Sequence, residues 1–261
     1  MKLYIKDRIT GTINYSKHIK NWYSLIKTKL YNKERRLLLK FRNGLKLNIM
    51  NKKVDSDITI IKEIYVCNNY NRNNFNIEDG DVVLDLGANI GIYSTYATTF
   101  GKGITVYAYE ASPKNFEYLK GNIELNNLQD IVKPYNEAVT SKNGKIKFFL
   151  HDRGSGGNSM FDELTTSERE GSIEVKSINL PSILKENKIK EVGFLKMDIE
   201  GAEYETLLNC PSDVIKRVKK IAIECHNVKG YKKEDLIKYL IKNGFMVWKP
   251  SKGMVYGKRV D

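Results

Sequence analysis

Two apolar runs in this sequence stop on side chains able to move a proton. VGFLKMDIEGAE carries Asp198, Glu200 and Glu203 at its end, and KKIAIECH is closed by Glu224 and His226. A hydroxyl that is to act as a nucleophile must pass its proton to a base within hydrogen-bond reach. An unperturbed imidazole titrates near neutrality, which makes His226 the first candidate, with Asp198 and Glu200 beside it. The same imidazole could serve only to fix the loop after its strand. Glu200 and Glu203 stand three apart at a predicted helix start, where the helix dipole alone favours acids, so at least one of them is expected to be structural. Asp198, Glu224 and His226 also have the ligand types of a divalent-metal site, but the spacing does not show one, and a metal-free site is the favoured reading. His151 and the glycine-rich residues 154–159 are weaker candidates for shaping an acceptor pocket, and His18 is weaker still.

A second constellation lies upstream, in VVLDLGANIGIYS over residues 82–94. Asp85, Gly87, Asn89 and Gly91 follow an apolar run, as in a strand-to-helix turn. Glu110 closes the next apolar run, nineteen residues past Gly91. An acid placed there can accept hydrogen bonds from a ribose diol. A dinucleotide needs its pyrophosphate close to backbone at the middle glycine of such a turn, yet Asn89 holds that position, and Asp85 adds negative charge. Both features disfavour NAD and suit a ligand bearing an ammonium and a sulfonium, as S-adenosylmethionine does.

These groups need a scaffold that sets strand ends side by side. From residue 82 onward, predicted strands and helices alternate, with VVLDLGA, TVYAYEA, IVKPYNEAVT, VGFLKMD and KKIAIECH as strands. Ser112 and Pro113 mark a helix start. GKIKFFLH and SIEVKSINL read as further strands around a long polar insert that is a candidate lid. FMVWKPSKGMVYGKRV reads as two strands across a turn. The expected fold is a doubly wound α/β domain, its sheet mainly parallel with an antiparallel C-terminal hairpin, and ligands of such sheets bind outside the carboxyl ends of the strands.

DLGANIG, VYAYEASP and LKMDIEGAEYETL together resemble the FkbM-type family of S-adenosylmethionine-dependent methyltransferases, over about residues 60–226. EIYVCNNY and VKSINLPSIL also look like that family, and the terminal hairpin matches the class I methyltransferase fold. The resemblance implies O-methylation of a sugar, glycan or secondary-metabolite hydroxyl. It implies that residues 87–91, including Gly87, Ala88, Asn89 and Gly91, pack against the methionine part of the cofactor, that Glu110 holds the ribose, that Asn136, Glu137 and Ala138 bound the adenine, and that Ala111 is also in the cofactor site. Asp198 would lie near the methionine end, and Tyr70 would close over the cofactor.

Charge is distributed unevenly. Residues 1–53 hold fifteen Lys and Arg against two acids, so the whole net charge of +13 lies there and the rest is neutral. Residues 1–53 are therefore expected to form a basic helical and hairpin segment, and residues 54–261 the catalytic domain. Residues 18–41 place Ile19, Trp22, Tyr23, Ile26, Leu30 and Leu37 at roughly helical spacing among basic residues. Such a helix would pack on the domain or a second subunit, or dock on an anionic membrane surface. An RNA methyltransferase is the alternative encouraged by the same segment. FRNGLKLNI reads as a short hairpin or strand. No run of eighteen apolar residues occurs, and MKLYIKDRITG has no secretory h-region. With three widely spaced cysteines besides, a cytoplasmic protein is expected, peripheral at the membrane if the helix docks.

Overall fold

The computed structural model of the protein describes residues 15–25, 35–51, 56–71, 75–151, 169–248 and 253–260. Its centre is a seven-stranded sheet. Five strands are parallel neighbours in the order β10 (Val218–Glu224), β9 (Val192–Met197), β3 (Val82–Leu86), β4 (Thr105–Tyr109) and β5 (Val132–Tyr135). The chain closes with β11 (Phe245–Trp248) and β12 (Met254–Arg259), an antiparallel hairpin whose second strand also pairs antiparallel with β10. Pro134 sits in β5, the edge strand, where its missing N–H costs no ladder bond on the outer side.

Alternation along each strand divides the core in two. Val83, Phe194 and Ala222 enter one buried cluster, with α1 (Ser56–Ile61), α2 (Ile92–Ala97) and α3 (Pro113–Leu125). Leu84, Leu195, Ile221 and Ile223 enter the other, with α4 (Leu180–Glu186), α5 (Glu203–Leu208), α6 (Ser212–Ile215) and α7 (Lys233–Lys242). The doubly wound fold expected from the sequence is therefore present. Ser112 caps α3 by accepting the Asn115 N–H, and Pro113 occupies the first turn.

IVKPYNEAVT is not one strand. It breaks at Asn136 and Glu137, and β6 (Ala138–Val139) leaves the main sheet to pair with β8 (Arg169–Ile178), itself antiparallel to β7 (Gly144–His151). This second sheet of three strands stands over the carboxyl ends of the main one. Residues 152–168, which include the glycine-rich insert, lie outside the described residues.

The helix expected over residues 18–41 is also corrected. Residues 15–18 form a helical turn, Ile19 bridges to Phe41, and residues 26–34 lie outside the described residues. β1 (Arg35–Lys40) is a strand, paired antiparallel with β2 (Lys46–Asn51) across a turn containing Asn43 and Gly44. Leu39 is fully buried while Leu38 is exposed, which is strand alternation and not a helical stripe. Two asparagines of α3 fix this hairpin: Asn122 exchanges hydrogen bonds with the backbone of Asn48, and Asn126 with that of Lys46. Ile19, Leu25, Leu39 and Phe41 share the buried cluster of Val83, with Trp22 and Leu37 partly buried against it, whereas Tyr23 is exposed and Ile26 and Leu30 lie outside the described residues. Among the described residues, no helix is long and apolar enough to cross a membrane.

Candidate functional site

Strand β3 delivers the chain into a turn that only a short approach between strands explains. Gly87 has φ +80°, and a Cβ there would stand 1.7 Å from the carbonyl oxygen of Asp198, at the end of neighbouring β9. Gly91, also left-handed, caps α2, and a Cβ on it would meet Leu119 of α3 at 2.6 Å. Asn89 takes a left-handed conformation between them, at φ +53°. Its N–H donates to Glu110 Oε2 at 2.7 Å, and Glu110 Oε1 accepts the Ser112 N–H at 2.8 Å. Burial pushes the Glu110 carboxyl up to about 7, against the pull of these donors.

Beneath the turn lies a charge that the sequence reading did not single out. Lys196 is buried in β9, all six residues of which are buried. Its Nζ stands 3.1 Å from Asp85 Oδ1 and donates to the Gly87 carbonyl at 2.6 Å. Burial opposes its charge, but Asp85 and Asp198 outweigh this and raise its pKa. Asp85 also accepts the Ser94 hydroxyl at 2.5 Å. A lysine within the apolar run VGFLKMD was itself a signal, since a buried ammonium requires a partner.

The ends of β9 and β10 meet as expected, and an acid-rich wall results. The Tyr70 hydroxyl donates to Glu224 Oε2 at 2.9 Å and to Asp198 Oδ2 at 3.2 Å. Glu63, presented by a π-helical turn (Lys62–Val66) after α1, is pushed up to about 7 by burial and by the charges of Glu224 and Asp198. Such turns occur often at functional sites. Glu63 opens the EIYVCNNY segment but was not singled out as a site residue in the sequence. On the far side, His226 Nδ1 is 2.9 Å from Glu203 Oε1, and the same oxygen accepts the N–H groups of Ile199 and Gly201. His226 Nε2 faces Glu200 Oε2 at 3.4 Å and Asp198 Oδ1 at 4.0 Å. Burial would lower the His226 pKa, but Glu203, Glu200 and Asp198 together raise it to about 10. The proton affinity of the imidazole is thus raised above the near-neutral value of an unperturbed histidine. Burial and Asp198 raise Glu200 to about 8. Of the two acids weighed in sequence, Glu203 is the one enclosed, at 0% exposure.

Most of these groups border one cavity of about 500 Å³. Tyr70, Gly87, Ala88, Asn89, Glu110, Ala111, Glu137, Ala138, Asp198, Glu200 and His226 line it, as do Glu63, Lys196 and Glu224. Apolar wall comes from Ile60 and Ile64 on one side and from Ile146 and Phe148 of β7 on the other. Three expected residues lie behind the lining. Asp85 anchors Lys196, Gly91 is buried against α3, and the Asn136 amide donates to the carbonyls of Glu110 and Ala111 at 2.9 and 3.2 Å. The set Asp198, Glu224 and His226 weighed for a metal is not gathered as such, because Glu224 turns to Tyr70 while Glu200 faces the imidazole. The side chain of His151 lies outside the described residues, and His18 sits in the N-terminal segment beside Tyr65.

Comparison with known proteins matches residues 85–247 to the model described as "Methyltransferase FkbM domain". The 31-O-demethyl-FK506 methyltransferase FkbM of Streptomyces tacrolimicus is 26% identical over 216 residues, covering 72% of this chain and 81% of the relative. The hexuronic acid methyltransferase AglP of Haloferax volcanii is 26% identical over 163 residues, 62% of each chain. Among solved structures, a methyltransferase FkbM from Methylobacillus flagellatus is similar at 15% identity and a TM-score of 0.48, over 69% of this chain and 44% of that one.

Proposed function

The chain belongs to the FkbM methyltransferase family, and from that premise we propose that its cavity binds S-adenosylmethionine and serves O-methylation of a sugar, glycan or secondary-metabolite hydroxyl. The observation that carries the assignment is the pairing of Glu110 with the glycine turn on one wall of a cavity whose other end is crowded with carboxylates. A ribose diol has Glu110 to donate to, and Ala111, Glu137 and Ala138 offer a flat boundary for the base. The opposite end suits a ligand that is cationic there. Burial first, and then the charge of neighbouring Asp198, raise the proton affinities of Glu63 and Glu224, and a sulfonium and an ammonium would offset that crowding of carboxylates.

Bound S-adenosylmethionine presents a methyl carbon on a sulfonium, open to in-line displacement by an oxygen nucleophile. The chain's part is to hold, align and dry the reactants. Lys196 fixes the Gly87 carbonyl and so the turn. Ile60, Ile64, Ile146 and Phe148 exclude water from above. In the metal-free chain the acceptor's proton has two cavity carboxylates of near-neutral affinity to go to, Glu63 and Glu200. His226, anchored through Nδ1 by Glu203, faces Glu200 with Nε2 and orients it. An RNA acceptor fits less well, since Glu63, Asp198, Glu200 and Glu224 would repel its phosphates.

The test is transfer of a labelled methyl group from S-adenosylmethionine to a panel of glycosides, uronic acids and polyketide alcohols. Label in an ether stable to mild alkali supports hydroxyl methylation. Label in an alkali-labile ester, in RNA, or nowhere would refute it.

A further inference from the structure

We propose that Asp198, Glu200 and His226 form a binding site for one divalent cation of the Mn²⁺ or Mg²⁺ type. Asp198 Oδ1, Glu200 Oε2 and His226 Nε2 belong to a group whose donor atoms all lie within 4.8 Å of one another. Donors held at about 2.1 Å from an octahedral ion stand roughly 3 Å apart when adjacent and roughly 4 Å apart when opposite. The measured 3.4 and 4.0 Å fall in that range, and both exceed the usual N–H···O hydrogen-bond length.

Three further features prepare the site. Nδ1 of His226 is bound to Glu203, so Nε2 is the atom left to ligate, and a carboxylate behind a ligating imidazole is the common supporting arrangement of metal histidines. Glu203 is fully buried, and its Oε2 has no hydrogen-bond partner among the described residues. Asp198 divides its two oxygens, with Oδ2 toward Tyr70 and Lys196 and Oδ1 toward His226. Glu200 is brought there by a left-handed backbone, φ +52°, which an L-residue with a side chain adopts only at a cost. One nitrogen and two carboxylate oxygens match an ion that keeps several open positions, and these would face the cavity and an acceptor oxygen. Only that last role rests on the methyltransferase reading; the binding itself does not.

The test is titration of Mn²⁺ into chelator-treated protein without methyl donor, followed by the electron paramagnetic resonance signal of the free ion. The expected result is one saturable Mn²⁺ per chain, with magnetic coupling to an imidazole nitrogen. Glu200→Gln and His226→Gln should each weaken binding about ten-fold or more, while Glu78→Gln, outside the cavity, should leave it unchanged. No saturation below about 1 mM, no nitrogen coupling in the wild type, or an affinity unmoved by both substitutions would overturn the site. Calorimetry with S-adenosylmethionine in chelator reads the methyl-donor assignment separately. Donor binding without Mn²⁺ binding defeats only the metal site, and Mn²⁺ binding without donor binding defeats only the donor.

Discussion

The carbonyl oxygen of Asp198 occupies the space in which a side chain on Gly87 would begin, 1.7 Å from an ideal Cβ. The turn after β3 and the turn after β9 are therefore locked at backbone contact, and the Gly87 carbonyl is held by Lys196 from below. Gly87→Ala must displace one turn or the other, and it also strains a positive φ. Loss of at least about 3 kcal/mol is expected in denaturant unfolding. An unfolding midpoint within error of the wild type would show that the two turns are not locked.

Lys196 and Asp85 are a buried ion pair, at 5% and 0% side-chain exposure. Lys196→Met leaves Asp85 charged and uncompensated, which costs about 3–5 kcal/mol. The double variant Lys196→Met with Asp85→Leu removes both charges and should regain much of that loss. Equal destabilisation by the single and double variants would mean that the pair is not the source of the effect.

Glu63 titrates at about 7 in the folded chain against 4.5 unperturbed. The folded state binds the extra proton between those values, so this group lowers stability as pH rises through that window. Glu63→Gln should raise the melting temperature at pH 8, with the gain vanishing below about 4.5. Affinity for a cationic donor should rise as Glu63 ionises, and the substitution should flatten that rise. A pH-independent difference in melting would refute the assignment.

His226 has the opposite sign. Its folded pKa of about 10 exceeds the unperturbed 6.5, so its contribution is fully present below 6.5 and is lost as pH rises through 10. In chelator, His226→Gln should melt below the wild type at pH 6, and the gap should close across that interval. A gap that persists above pH 10 would show that packing, not charge, is what the ring contributes.

The architecture was legible where local pattern and sheet rules agree. DLGANIG and Glu110 stand at adjacent strand ends because β3 and β4 are parallel neighbours, and Asp198 and His226 meet because β9 adjoins β10. Other features depend on contacts that no spacing encodes. Glu63 becomes exceptional only beside Glu224, far along the chain, and the His226 charge is set by three carboxylates that fold together. The segment over residues 18–41 misled because Leu37, Leu38 and Leu39 satisfy helical and strand periodicity alike. The Asn43–Gly44 turn and the two asparagines of α3 decide for a hairpin. Lys196 alone was readable and passed over.

The central claim is that the cavity holds S-adenosylmethionine with its ribose on Glu110. Titration calorimetry of S-adenosylmethionine and of NAD, on wild type and Glu110→Ala, tests it most directly, with circular dichroism to confirm that the variant is folded. The account predicts selective binding of S-adenosylmethionine, weakened at least about 30-fold by loss of hydrogen bonds to a charged acceptor. Binding of NAD instead, or S-adenosylmethionine affinity unchanged in the variant, would contradict it.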